Sequence, residues 1–255
     1  MGLVSVWCSR RLMSPGGFLP NSIFIVHIDI ISTVPELLSS PLSHSIMQRA
    51  QDKGLLTIAV HDLRPYGLGK HNSVDDYQFG GGAGMVMRCE PLATLIDELR
   101  GQRQYDEIIY LTPDGERYAQ RRANRLSLLD NLLLICGHYK GIDERIREAY
   151  VTLELSIGDY VLSGGELAAA VVVDSIGRLL PGVIGDETSA LTDTFQDDML
   201  APPVYTRPAE WRGREVPEIL LSGNTGAIEQ WREEQAEART RARRPDLFAG
   251  KGEQQ

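Results

Sequence analysis

Short runs dominated by Ile, Val and Leu recur along this chain, and stretches with helical spacing lie between them. The runs occupy residues 28–32, 55–60, 107–112, 132–137 and 151–157, and each ends in turn-forming residues. Near-continuous apolar character over so short a length is what a strand buried on both faces needs. Helical spacing appears at 42–51, 91–99 and 119–128. Strands alternating with helices predict an α/β fold with a mostly parallel sheet. Residues 167–173 are apolar throughout, which predicts a helix buried on most sides.

The chain has 255 residues, enough for one large domain and a small second one. No apolar run reaches the roughly 18 residues of a membrane span. Cys8, Cys89 and Cys136 are odd in number and far apart, so they suggest neither a disulfide framework nor a zinc site and fit a cytoplasmic location. The net charge of −9 gives no support to a nucleic-acid partner. Residues 1–25 lack the long apolar core and small-residue cleavage site of a secretion signal. They read as a disordered extension or as a start codon set too early.

Residues 186–204 hold five acids (Asp186, Glu187, Asp193, Asp197, Asp198) and no Lys or Arg, which reads as a linker. Beyond it, Ile228, Trp231, Gln235 and Ala238 share one helical face, and Arg239, Arg241, Arg243 and Arg244 crowd together. A small helical domain is therefore expected over 205–255, after a first domain over 26–185.

Three strands end in unusual loops: Leu111-Thr112-Pro113, the stretch 136–141 and the stretch 157–165. In open parallel sheets, ligands bind outside the carboxyl ends of strands, and glycine lets backbone approach a ligand closely. By themselves these loops read first as tight turns. Ser163-Gly-Gly-Glu166 ahead of an apolar run predicts a capping box, with both side chains serving the helix start. The glycines from Gly80 to Gly84 fit neither a P-loop nor a dinucleotide fingerprint. Histidine spacing suggests no metal site, and no nucleophilic serine motif is present. In isolation Arg178 would complement a helix C-terminus, and Asp193 would be one solvated acid among five.

Taken together, the strings IDIIS (from Ile28), PELLSSPLSHSI (from Pro35), VDDYQFGGGAGMVM (from Val74), IYLTPDG (from Ile109), LICGHYKGIDERI (from Leu134), SIGDYVLSGGELAA (from Ser156), RLLPGVIG (from Arg178) and YTRP (from Tyr205) resemble the bacterial tRNA (guanine-N-1)-methyltransferase family of the knotted SPOUT superfamily. They stand in that family's order with close to its spacing. The resemblance implies a deep C-terminal trefoil knot in the α/β domain, an obligate homodimer with the active site at its interface, and tRNA as substrate through its anticodon stem-loop. It implies methylation at N-1 of the guanine at position 37, just 3′ of the anticodon. The implied methyl donor is S-adenosylmethionine, bound by Tyr110, Leu111, Thr112, Pro113, Gly137, Tyr139, Gly141, Ser156, Ile157, Gly158, Tyr160, Leu162, Gly164 and Gly165. Asp193 would be the general base and Arg178 its electrostatic partner, both from the subunit opposite the donor. Magnesium is assigned to no residue.

The chain departs from the family pattern at Lys140 (usually Glu), His138 (usually Arg), Gln78-Phe79 (commonly Pro-Tyr), Ala201 (often an acid) and Thr225 (often His). A knotted methyltransferase acting on ribose 2′-hydroxyls or ribosomal RNA is the alternative enzyme. A catalytically silent tRNA-binding protein is the alternative from another class.

Overall fold

A computed structural model describes residues 25–184 and 193–249. The extension, apart from Ile25, and the stretch 186–192 of the acidic segment lie outside the described residues. The chain divides into two compact units, residues 1–187 and 188–255.

In chain order the first unit runs β1 (Val26–Ser32), α1 (Glu36–Leu42), α2 (Ser45–Asp52), β2 (Leu56–Asp62), β3 (Asp75–Tyr77), β4 (Met85–Met87), α3 (Cys89–Gln102), β5 (Glu107–Arg117), α4 (Gln120–Leu126), β6 (Asn131–Cys136), α5 (Glu144–Tyr150), β7 (Leu153–Ser156) and α6 (Glu166–Gly177). Five strands form one sheet in the order β2-β1-β6-β5-β7, and every pairing in it is parallel. This is an α/β fold. A separate antiparallel pair joins β3 to β4.

Both faces of the sheet are covered, which is why its strands read as apolar runs rather than as alternating ones. Ile28, Ile30, Ile109, Leu111, Leu132, Leu134 and Cys136 pack on one side with Leu38, Met47, Val172 and Ile176. Ile31, Ile108, Tyr110, Leu133 and Ile135 pack on the other with Leu92, Ile96, Leu99 and Ile146. Each large apolar side chain so buried contributes about 1.5–3 kcal/mol.

One helical expectation is corrected. The segment expected at 42–51 is split, because α1 carries Pro41 in its last turn and ends at Leu42, while α2 begins at Ser45. Proline removes a helical N–H and crowds the preceding turn. Side chains reach the carbonyls of this last turn: Ser43 Oγ donates to Ser39, and His44 Nδ1 lies 2.9 Å from the Ser40 oxygen, which also accepts from Ser43 N–H. The apolar helix α6 is buried on most sides, as expected: of residues 167–173 only Leu167 and Val171 stand exposed, at 53% and 48%.

Strand β5 runs five residues past its expected end at 112, through Arg117. Leu155 of β7 faces both Leu111 and Glu116, so residues 112–115 leave the ladder as a bulge. Pro113 has no N–H to give a ladder. A Cβ on Gly115 would sit 2.6 Å from the Glu154 carbonyl carbon, so only glycine returns the chain to the sheet there.

The second unit contains β8 (Glu210–Trp211), β9 (Arg214–Glu215), α7 (Thr225–Arg243) and α8 (Asp246–Ala249). Arg212 and Gly213 both have positive φ, the two-residue turn that suits a hairpin's twist. Asn224 caps α7 by accepting from Ala227 N–H at 3.2 Å. Ile228, Trp231 and Gln235 are half-buried, but Ala238 is exposed. The inner face turns instead to Ala236 and Thr240, because Thr240 Oγ1 accepts from Leu200 N–H at 2.9 Å and brings the preceding segment onto that side.

Candidate functional site: a glycine-lined cleft

At the bulge that interrupts β5 and at the carboxyl ends of β6 and β7, three loops enclose a cleft of about 270 Å³. All fourteen residues assigned above to the donor lie on its wall, joined by His138, Lys140, Leu155, Val161, Ser163 and Ala168. Neither Arg178 nor Asp193 lines the cleft. Arg178 is the half-buried residue closing α6. Asp193 belongs to the second unit, in a turn where its carbonyl accepts from Gln196 N–H at 3.3 Å.

The glycines are required by how closely the loops approach. Gly165 N–H donates to the Gly137 carbonyl at 2.9 Å, and His138 bridges to Gly164. A Cβ at Gly165 would lie 2.7 Å from Cys136 Cα, and one at Gly164 would lie 2.4 Å from His138 Nε2. A side chain at Gly165 would force the two loops apart, and one at Gly164 would displace the His138 ring and the Glu166 carboxylate. Tyr139 takes φ 59°, an uncommon conformation for a residue bearing a Cβ. Its phenol is pushed up by burial and by the charge and hydrogen bond of Asp75.

The first loop is held from below. Thr112 Oγ1 donates to Asp114, and that bond, ahead of the Arg147 guanidinium, holds the Asp114 carboxyl below its ordinary range. Arg147 also reaches Glu154 at 2.6 Å and lies 5.4 Å from the centre of the Tyr110 ring. Burial pushes the Tyr110 phenol up, keeping it a neutral wall.

The expected capping box does not form. Helix α6 starts at Glu166 with Gly165 as N-cap and no side-chain cap, and Ser163 is exposed. The Gly164-Gly165 pair is taken up by contact with the neighbouring loop, which delays the helix. Glu166 is instead 1% exposed and accepts from Ser32 Oγ at 2.6 Å. His138 Nε2 lies 2.8 Å from both of its oxygens, so this nitrogen carries the proton. The carboxylate thus ties β1, the loop after β6 and the start of α6 together. Sequence spacing gave no sign of this network beyond an acid at the head of an apolar helix. Removing one partner of a buried set leaves the others unsatisfied at about 1–3 kcal/mol. Glu166→Ala is therefore expected to lower unfolding stability by that amount in urea titration; an unchanged midpoint would show the network to be inert.

Among the described residues no carboxylate lines the cleft, and Lys140 is its one permanently charged side chain. Main-chain polar groups and ring faces are what it offers a ligand. Cys136, which ends β6, is fully buried, and burial, then the Glu166 charge, push its thiol well up, so it is no nucleophile. Among the described residues no group of three or more His, Cys, Asp or Glu could hold a metal ion. None of the described helices is long and apolar enough to cross a membrane.

The family described as tRNA (Guanine-1)-methyltransferase TrmD matches residues 26–250. A protein of Christiangramia forsetii named tRNA (guanine-N(1)-)-methyltransferase is 60% identical over 223 residues, 88% of this chain and 99% of its own length. Proteins of the same name from Cytophaga hutchinsonii and Porphyromonas gingivalis are also 60% identical over 88% of this chain, across 95% and 99% of their own lengths. The match spans both units and includes every loop of the cleft, so the chain belongs to the tRNA (guanine-1)-methyltransferase family.

Proposed function

We propose that this protein transfers the methyl group of S-adenosylmethionine to N-1 of guanine 37 in tRNA, just 3′ of the anticodon, in the cytoplasm. The observation that carries this reading is the cleft, where three loops, two of them lined with glycine, meet around a wall to which no described residue contributes a carboxylate. The wall fits the donor. Glycines whose Cβ would be blocked bring main-chain N–H and C=O groups within reach of a heterocycle's edges, and Tyr110, Leu111, Ile157, Tyr160 and Leu162 supply flat or apolar contact. When bound there, S-adenosylmethionine supplies an electrophilic methyl group.

The chain's own residues prepare the nucleophile. Guanine N-1 holds its proton at neutral pH and attacks poorly until a base removes it. Asp193 accepts that proton, and Arg178 stabilises the negative charge that builds on the exocyclic oxygen. The guanine reaches them by leaving the loop stack, since unpaired loops are where RNA bases are read individually. Local arginines, among them Arg241 and Arg243 in the last turn of α7, serve the tRNA despite the negative total charge.

The reading includes a trefoil knot and a homodimer with the active site at the interface. The contact of Gly165 with Gly137 supports the knot, because the chain after β7 is drawn against the loop after β6. Leu167 and Val171 of α6, with Leu37 of the adjacent α1, remain exposed; an apolar stripe of this kind suits a second copy.

The deciding experiment is nucleoside analysis after incubating the protein and donor with unmodified tRNA carrying guanine or adenine at position 37. N-1-methylguanosine from the first tRNA alone is expected. Methyl on ribose, or equal transfer to both tRNAs, would end this assignment.

A further inference from the structure

Outside the cleft, the most unusual surface is the tip of the β3–β4 hairpin. The Phe79 side chain stands 99% exposed and Tyr77 79% exposed. Gly80, Gly81, Gly82 and Gly84 all have positive φ, so the tip is wound by residues without side chains and nothing screens the Phe79 ring. Gln78 folds beneath the loop, with its Nε2 2.2 Å from where a Cβ on Gly82 would be.

The hairpin is fastened to the cleft. Lys140 N–H donates to the Met85 carbonyl and Met87 N–H to the Gly141 carbonyl, each at 3.0 Å. The Lys140 stem lies against Gly84. The acids of β3 are engaged, Asp75 by Ser73 Oγ at 3.3 Å and Asp76 by Arg88 at 2.8 Å, and residues 77–87 carry no charge. Exposed rings, open backbone and one adjacent cation at the rim of a cleft match single-stranded nucleic acid, whose bases stack on aromatic faces while phosphates meet lysine. A protein partner would call for a continuous aliphatic patch, and here the rings stand among glycines.

We infer that the hairpin tip is a stacking platform for the RNA: an unpaired base next to the target guanine stacks on Phe79, and Lys140 meets the neighbouring phosphate. This deepens the tRNA reading proposed above and rests on it. Stacking is tolerant of base identity and is worth about 1–3 kcal/mol per base, about 5- to 150-fold in affinity.

The test is steady-state methyl transfer to unmodified tRNA by the full chain, comparing Phe79→Leu with Phe79→Trp. The Leu variant is expected to raise the KM for tRNA by about 5-fold or more, with kcat and donor affinity little changed. The Trp variant should stay near the parent value, because it restores an aromatic face. An unchanged KM in Phe79→Leu, or an equal loss in both variants, would overturn the platform. So would loss of the dimer in Phe79→Leu on gel filtration, which would make the tip a subunit contact. Failure of the unaltered protein to methylate tRNA would instead overturn the underlying reading, and the two failures are told apart by that control.

Discussion

Asp193→Asn is expected to leave donor affinity at its parent value while lowering turnover by about 10² or more. The amide keeps the shape of the carboxylate and loses its ability to take a proton. The fall should appear in kcat, since ground-state binding of donor and tRNA does not depend on that transfer. The backbone around Asp193 is closely wound. Phe195 and Asp198 have positive φ, Phe195 N–H donates to the Met199 carbonyl at 2.7 Å, and Leu200 N–H is held by Thr240 of α7. Within the second unit, therefore, the aspartate sits on a defined turn. Isothermal titration with donor and single-turnover transfer to tRNA separate the two effects. Near-normal turnover would remove Asp193 from the chemistry.

Gly165→Ala is the second large effect expected, and it is steric. The added methyl would lie 2.7 Å from Cys136 Cα and 3.0 Å from Gly137 N; both are backbone atoms that no rotamer change can move. The φ of −80° at Gly165 suits any residue, so strain in the dihedral is not the cause. Overpacking of this kind costs about 1–3 kcal/mol, and separating the two loops should weaken donor binding by about tenfold or more, since about 1.4 kcal/mol is tenfold in affinity. Gly101 provides the control, since nothing lies within 4 Å of a Cβ built there and it sits in helix α3. Gly101→Ala should therefore be neutral or stabilise by about 0.4–1 kcal/mol. If Gly165→Ala binds S-adenosylmethionine as tightly as the parent, the cleft is not the donor site.

Five strands were legible in the sequence because burial on both faces forces their residues to be apolar without alternation. The split between α1 and α2 was harder to see. Pro41 announces a break, but not that side chains of Ser43 and His44 reach the carbonyls of that turn. The Ser163–Glu166 spacing pointed to a cap that tertiary contact overrides: Gly164 and Gly165 are held by the neighbouring loop, and Glu166 is recruited by Ser32, 134 positions away in the chain. Ala238 was placed inward by helical spacing alone, whereas the hydrogen bond from Leu200 to Thr240 rotates the covered face.

The order of strands and helices, the double-sided burial of the sheet and the family were determined by local patterns, since each depends on residue types at short, fixed separations. The convergence of residues 110–113, 137–141 and 156–165 on one cleft, the buried Glu166 set and the bare ring of Phe79 were decided only in three dimensions. Parallel pairing brings the bulge of β5 and the ends of β6 and β7 side by side although they are far apart in sequence. How near two loops come depends on backbone approach across that gap, which no spacing along the chain encodes.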